Sequence, residues 1–448
     1  MYRRILSFFT LSDALYFIAS LGPRILTFGT ILVLAHTLTA QDFGKVSLIV
    51  TTSLVILTLS SAWLSTSAYR FVADRNLVDR QEAEANLLAT YPWSFAFVAI
   101  LVSSFGALTG QPSFIYFSAI LLGLLSGSGD IASAFLNAQS RPKDYMAISL
   151  LRTGFIFIFA AICGYFKLGL IGATTAYVLG SMAIILSPAF RSIFAKLRFR
   201  LPNKAHVSQF MRYGVPAGLS FNIYILVHAG SRMALANIAG PEQVGRYALV
   251  SDLFYAPAAL ILGTFGLSYM PKMHGGWLDS GLEGALPWMN KYLSTQIAFA
   301  LPILAGGLAL GDLFWTLLAP NHAQEGEAWV AGLATIQGLC LAVIGCFLMI
   351  LQVMGRTGAC LVFTLACVLA NWSAVTIFGQ ANALDAFSAI STACVAFSVL
   401  ALGAYTLLIS GARVGFVRLA QSVVFAFGLF AILLIVRQGI NSFIEPQL

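Results

Sequence analysis

Long apolar stretches separated by short polar segments run through the whole chain. A helix of about 20 apolar residues is long enough to cross the hydrocarbon core of a bilayer. Such stretches recur about thirteen times, and the weak last stretch widens the count to between about twelve and fourteen. The predicted membrane helices cover residues 11–36, 43–68, 86–108, 113–136, 147–165, 168–190, 213–238, 244–270, 293–310, 329–353, 359–378, 383–410 and 416–436.

Composition agrees with a polytopic membrane protein. Of the 448 residues, 59% are hydrophobic and only 9% are charged, whereas soluble domains contain about 25% charged residues. This balance excludes a soluble enzyme, a disordered scaffold and a secreted disulfide module. The six cysteines lie in apolar stretches without C-x-x-C pairs or nearby histidines, so we expect no disulfide, metal or cofactor.

The distribution of Lys and Arg orients the predicted helices. With the N-terminus in the cytoplasm, most cations lie on the cytoplasmic side, including Arg152 and the basic segment 191–212. The loop cations on the opposite side are Lys45, Lys167, Arg246 and Arg437. The net charge of +8 therefore indicates membrane topology and no nucleic-acid partner. Segment 191–212 is expected to lie against anionic lipid headgroups.

A short pattern occurs twice, as AQDFGKVSL at residues 40–48 and as PEQVGRYAL at residues 241–249. Each copy lies in an outer turn, and six predicted helices separate the copies. Because six is even, both copies have the same orientation, which is typical of parallel transporter repeats. The prediction is an all-α fold with two pseudo-symmetric six-helix lobes around a central cavity. The N-lobe covers residues 1–200, the C-lobe covers 201–410, and an extra helix and tail cover 411–448.

Several segments resemble those of a known family. RILTF at residues 24–28 and LAHTLTAQDFG at 34–44 are similar to the first helix and turn of polysaccharide transporters. YGVP at 213–216, SRMAL at 231–235 and GPEQVGRY at 240–247 resemble the seventh helix and its turn. NAQSR at 137–141, followed by Tyr145, resembles the exit of the fourth helix. The family comprises the O-antigen and exopolysaccharide repeat-unit flippases of the multidrug/oligosaccharidyl-lipid/polysaccharide exporter superfamily.

This resemblance implies a non-enzymatic flippase of the bacterial inner membrane. Its substrate would be an oligosaccharide unit linked to polyprenyl diphosphate, moved by alternating access for lipopolysaccharide or other surface polysaccharides. Membrane lipids, a polysaccharide polymerase and assembly proteins are the further partners that it implies. The sequence departs from the family pattern at two positions. His36 stands where the family often has Arg, and Ser231 stands where an acidic residue often precedes the seventh-helix Arg.

Two arginines are candidate substrate-binding residues. Arg24 follows Gly22-Pro23 near the centre of the first predicted helix. A charge there costs at least about 2.5 kcal/mol, so it is expected to face a cavity or a partner. Its planar guanidinium suits a diphosphate, and the alternative is a structural pair with Asp13 or Asp130. Arg232, in the seventh helix, is the second candidate.

Two carboxylates are candidates for ion coupling or gating. Asp252 and Arg232 lie at similar distances from the turn between the seventh and eighth helices. They are expected to form a salt bridge, an anion site or an outer-gate latch. Asp130, in the inner half of the fourth helix, suits ion coupling or substrate contact. The alternative is a carboxyl satisfied by Arg24 or by hydroxyls.

Other functions remain as alternatives. The sequence has no H-E-x-x-H, P-loop, G-x-S-x-G or D-x-D motif, which disfavours catalysis and ATP-driven pumping. Another substrate of the same superfamily stays open, either a peptidoglycan precursor or a small molecule in antiport. A membrane polysaccharide polymerase or ligase would be expected to carry a large outer loop, and the loops here are short.

Overall fold

A computed structural model describes residues 11–72, 80–109, 113–139, 141–197, 201–319, 329–378, 384–413 and 421–434. All regular structure in these ranges is helical, and the all-α prediction is confirmed. The chain forms two compact units by its internal contacts, unit 1 (Met1–Ile225) and unit 2 (Leu226–Leu448). The predicted lobe limits at 1–200, 201–410 and 411–448 stay a prediction.

Unit 1 contains eight described helices. They are α1 (Leu11–Thr37), α2 (Ala40–Phe71), α3 (Arg80–Thr109), α4 (Ser113–Ala138), α5 (Pro142–Tyr165), α6 (Gly169–Leu186), the short α7 (Pro188–Phe194) and α8 (Lys204–Phe221). Within α2, residues Thr58–Ala62 form a π-helical turn, and α6 ends in a 3₁₀ turn at Ala183–Leu186. A π turn is wider than an α turn and often occurs at functional sites.

The second half of the chain begins with α9 (Ile223–Val250), which is kinked at Gly240. A π turn at Ser251–Tyr255 connects it to the next helix. The remaining described helices are α10 (Ala256–Ser280), α11 (Leu282–Leu318), α12 (Val330–Val353), α13 (Thr357–Phe378), α14 (Leu384–Ser410) and α15 (Gln421–Leu434).

In the described part of the chain, nine helices are long and apolar enough to cross a membrane, and two shorter apolar helices accompany them. The predicted count of about thirteen is consistent with this set. One predicted helix, 213–238, is interrupted in the structure. The break falls at Asn222, whose side-chain amide donates to the Gly218 carbonyl instead of continuing the helix. Pro216, six residues earlier, already removes a backbone donor.

Small residues bring the helices of unit 1 into close contact. Gly22 of α1 lies against Leu150 of α5, where an added Cβ would be 2.8 Å from the leucine side chain. Gly218 of α8 lies against the backbone of Trp63 in α2. Gly127 of α4 leaves room for the Tyr91 hydroxyl. These approaches are typical of membrane helices, which pack through small residues.

The two copies of the repeated turn have related local structures. At the start of α2, the Thr39 hydroxyl caps the helix by accepting from the Asp42 amide at 3.2 Å. At the second copy, Gly240 has φ 81° and ψ 175°, a conformation that only glycine adopts readily, and Pro241 follows it. Each turn then carries an acid–base pair on one helix face. Those pairs are Asp42–Lys45 at 3.9 Å and Glu242–Arg246 at 2.8 Å.

Candidate functional site

A cavity of about 300 Å³ lies inside unit 1, between α1, α2, α4 and α5. It is lined by Pro23, Arg24, Leu57, Gly129, Asp130, Ser133, Tyr145, Ile148, Ser149, Arg152 and Thr153. Three of these side chains carry charge, two positive and one negative. Charges within membrane helices are expensive and normally mark a functional cavity or a paired network.

Asp130 lies against hydroxyl groups of α2. The Ser65 hydroxyl donates to the Asp130 Oδ2 at 2.6 Å. The Ser61 hydroxyl is also close to this carboxyl, and it donates to the Leu57 carbonyl at 2.9 Å. Ser61 belongs to the π turn of α2, so the irregular helix supplies part of the carboxyl's environment. The sequence left two structural explanations for Asp130, a carboxyl satisfied by Arg24 or one satisfied by hydroxyls. In the structure a hydroxyl is its hydrogen-bond partner, and Arg24 is not.

Arg152 is the cation whose charge acts on Asp130. Its Nη2 donates to the Ser126 hydroxyl of α4 at 2.7 Å. Arg152 lies well inside α5, within the predicted helix 147–165, and it lines the cavity. Its assignment to the cytoplasmic side stays a prediction.

Arg24 lines the cavity from the middle of α1, directly after Pro23. Its Nη1 is buried and has no hydrogen-bond partner in the described part of the chain. The hydroxyl-bearing rings of Tyr145 and Tyr224 are its electrostatic neighbours. No ion pair joins Arg24 to Asp130 among the described residues, and the side chain of Asp13 lies outside them. Arg24 thus combines a position on the cavity wall with a buried, unused N–H donor.

Unit 2 contains a second buried charged group. Arg232 Nη2 donates to Asp252 Oδ1 at 2.6 Å, so the structure brings these two predicted residues together. The Arg232 side chain is 8% exposed and that of Asp252 is 28% exposed. His228, one turn before Arg232, is also buried and packs edge-on against Tyr255 with ring centroids 3.8 Å apart. The functional role of the pair stays a prediction.

A buried network of amides and hydroxyls lies beside this pair. Asn371 Nδ2 donates to Ser231 Oγ at 2.9 Å, and Ser391 donates to Asn371 Oδ1 at 2.8 Å. Gln337 Nε2 donates to Ser391 Oγ at 2.7 Å. Four helices, α9, α12, α13 and α14, are joined in this way. Ser231 therefore serves helix packing, while Asp252 supplies the carboxylate that the sequence lacks immediately before Arg232.

The profile of the polysaccharide biosynthesis protein family matches residues 13–275. The chain belongs to this family. The match includes α1 to α9, and with them the cavity and the Arg232–Asp252 pair. The resemblance to polysaccharide transporters is thereby confirmed. No curated protein matches the sequence.

Several solved structures are similar in fold to this chain. The lipid II flippase MurJ, in an inward closed conformation, has a TM-score of 0.69 at 14% identity over 94% of this chain and 92% of that one. An inward-facing multidrug resistance MATE transporter of the MOP superfamily has a TM-score of 0.67 at 12% identity, over 87% and 94%. A MOP superfamily transporter from Pyrococcus furiosus has a TM-score of 0.55 at 14% identity, over 89% and 93%. These likenesses establish the MOP-type fold.

Proposed function

We propose that this protein is a flippase that moves polyprenyl-diphosphate-linked oligosaccharide units across the bacterial inner membrane. The units would serve surface polysaccharide synthesis, such as O-antigen, lipopolysaccharide or exopolysaccharide. The N-terminus lies in the cytoplasm in this proposal, as the distribution of Lys and Arg predicts. Membership of the polysaccharide biosynthesis protein family and the fold of exporters support it.

The unsatisfied Nη1 of Arg24 is the observation on which the proposal rests. A buried guanidinium donor without a partner is costly, and an oxyanion ligand would satisfy it with a charge-assisted hydrogen bond. The volume of about 300 Å³ is at the lower limit for small-molecule sites, which suits a diphosphate better than a whole oligosaccharide. In this proposal Arg24 binds the diphosphate while the sugars remain outside the cavity.

Asp130 is the candidate for ion coupling in this mechanism. Its hydroxyl partner at Ser65 can donate to a carboxylate or accept from a protonated acid, so it tolerates both states. Uptake of a proton would weaken the attraction between Asp130 and Arg152, and the cavity could then change its shape. In unit 2, Arg232 is the second predicted substrate contact and Asp252 its predicted gate partner.

The experiment that tests this function replaces Arg24 with Ala in a strain that depends on this gene for surface polysaccharide. We expect polysaccharide to fall by at least about tenfold, because the charge that binds the diphosphate is lost. Sugar-linked polyprenyl diphosphate should accumulate on the cytoplasmic side and be detectable by mass spectrometry. The amount of protein in the membrane should stay unchanged.

Arg141→Ala is the matched control, because Arg141 is an exposed arginine outside the cavity that pairs with Asp144 at 2.8 Å. It should leave polysaccharide at the level of the unmodified protein. Arg24→Lys keeps the charge without the bidentate fork and should give an intermediate level. Normal polysaccharide with Arg24→Ala would refute the role of Arg24. Loss of the whole gene without accumulation of lipid-linked sugar would refute the proposed substrate.

A second substrate class is favoured by one observation, the likeness to the lipid II flippase MurJ over 94% of this chain. If the protein carries a peptidoglycan precursor, it should restore growth of cells depleted of their own lipid II flippase. If it carries surface polysaccharide units, it should restore polysaccharide and leave that growth defect in place. The same two assays separate these substrates from a small molecule in antiport, which would restore neither.

A further inference from the structure

The hairpin between α10 and α11 brings basic and aromatic side chains together at one end of unit 2. Gly281, with φ 64°, forms the turn. Gly276 and Gly284 face each other so closely that neither has room for a side chain, because an added Cβ would meet the backbone of the other. The two helices are therefore in backbone contact beside the turn, and side chains that follow on each helix are held close together.

Two lysines share one indole ring on this hairpin. Lys272 Nζ lies 5.4 Å from the Trp288 ring centroid and 5.6 Å from that of Tyr269. Lys291 Nζ lies 5.7 Å from the same Trp288 ring. Both distances to Trp288 are within the range of cation–π attraction, about 6 Å. The ring therefore gathers two positive charges that would otherwise repel each other.

Neither lysine has a carboxylate partner within ion-pair distance among the described residues. Both side chains are exposed. A third cation is brought to the same corner, because the backbone N–H of Arg413 donates to Asn290 Oδ1 at 2.6 Å. Arg413 is exposed as well. Like charges that form no ion pair among the described residues raise the local positive potential, and an anion that reaches them is attracted by all three.

We propose that Lys272, Lys291 and Trp288 form a binding site for the diphosphate of a lipid-linked headgroup at the predicted cytoplasmic end of unit 2. We call it the hairpin site. The inference rests on the proposed flippase function and adds a site to it, distinct from the cavity around Arg24. Its role is to hold the headgroup at the membrane surface before translocation.

Charge and position both fit this ligand. A diphosphate carries more negative charge than the single phosphodiester of phosphatidylglycerol. It is therefore the better match for two lysines with Arg413 nearby. Lysine and tryptophan are also the residues that suit the level of lipid headgroups, where an apolar stem or ring lies in the membrane and the polar end reaches water. A lipid diphosphate has its phosphates at that level and its chain in the bilayer.

The hairpin site can be tested by binding to the purified full-length protein in nanodiscs of phosphatidylcholine. The probe is undecaprenyl diphosphate, and its binding is followed by native mass spectrometry. We expect the double variant Lys272→Gln/Lys291→Gln to raise the Kd by about tenfold or more. The control is Arg141→Gln/Lys143→Gln, which removes the same charge from exposed cations elsewhere on the predicted cytoplasmic side. It should change the Kd by less than about twofold.

Competition with phosphatidylglycerol separates the two lipid sources of phosphate. Displacement of the probe by phosphatidylglycerol at equal concentration would overturn the inference, because the site would then select bulk anionic lipid. Equal Kd values for the double variant and its control would overturn it too. Trp288→Leu should weaken binding of the probe. Trp288→Phe should largely preserve this binding, because it keeps an aromatic ring next to the two lysines. Each variant's melting temperature is measured to confirm that it is folded.

Failure of this inference can be distinguished from failure of the proposed function. If the proposed function is right and the hairpin site is absent, Arg24→Ala still abolishes polysaccharide while the lysine variant binds the probe normally. If the hairpin site is real and the protein is not a flippase of this substrate, the lysine variant loses binding. Arg24→Ala would then leave polysaccharide unchanged.

Discussion

The two arginines predicted to bind substrate, the half-buried Arg24 in unit 1 and the buried Arg232 in unit 2, differ in their partners. Arg232 has a carboxylate partner at 2.6 Å. Arg24 lines a cavity and has an Nη1 without a hydrogen-bond partner in the described part of the chain. A paired buried charge contributes to stability mainly because removal of one partner leaves the other uncompensated. An unsatisfied donor costs stability and is available to a ligand. The comparison therefore predicts different consequences for stability when each side chain, or its partner, is removed.

The largest effect on stability is expected from Asp252→Ala. This change leaves the Arg232 guanidinium buried without its counter-ion, which costs about 3 kcal/mol of unfolding free energy. The estimate is at the low end for buried pairs, because the Asp252 side chain is 28% exposed and water can reach it. Thermal unfolding of the purified protein in detergent measures the loss.

The double variant Arg232→Met/Asp252→Leu is the control for that prediction. It removes both charges together, so no uncompensated ion remains and most of the stability should return. A double variant as unstable as Asp252→Ala would show that the salt bridge is not the cause of the loss.

A smaller effect is expected from Ser65→Ala in unit 1. The serine hydroxyl donates to Asp130 at 2.6 Å, and a hydrogen bond to a charged group contributes about 1.5 to 3 kcal/mol. The charge of Arg152 still acts on Asp130 in this variant, so we expect a loss of about 1.5 kcal/mol, the lower value. The same unfolding measurement applies, with Ser133→Ala as the matched control on the cavity wall. Equal losses for the two serines would contradict a specific role of Ser65.

The smallest effect on stability is expected from Arg24→Met. Methionine keeps the long apolar stem and removes the unsatisfied guanidinium, so the unfolding free energy should change by less than about 0.5 kcal/mol or increase slightly. Transport should nevertheless be lost. A loss of several kcal/mol would show that Arg24 has a structural partner and would remove the contrast with Arg232.

Much of the fold could be predicted because hydropathy and chain length determine where membrane helices lie. The similar depth of Arg232 and Asp252 in the membrane could also be predicted. Both residues lie at comparable distances from one turn, and helical rise converts that into a similar depth. A similar depth is compatible with a salt bridge, an anion site or a gate latch. Only the structure shows that the two side chains are in contact.

The composition of the cavity could not be predicted in the same way. Arg152 lies within the predicted helix 147–165, but the charge pattern did not indicate that it would line a cavity together with Asp130. Ser61 and Ser65 face Asp130 because of the π turn in α2, and a π turn has no reliable sequence signature. Tyr224 comes close to Arg24 only after α8 ends and the chain turns at Asn222. Which side of a helix faces a neighbour depends on packing that hydropathy does not encode.

The π turn at Thr58–Ala62 has a consequence for how this protein can diverge. A π turn holds one residue more than the α turn it replaces, so it amounts to a single-residue insertion inside a membrane helix. Deleting one residue there would restore a regular helix and rotate everything that follows, including Ser65, by about 100°. Homologues that lack the extra residue should therefore show a one-position gap in this helix and a different set of side chains opposite Asp130.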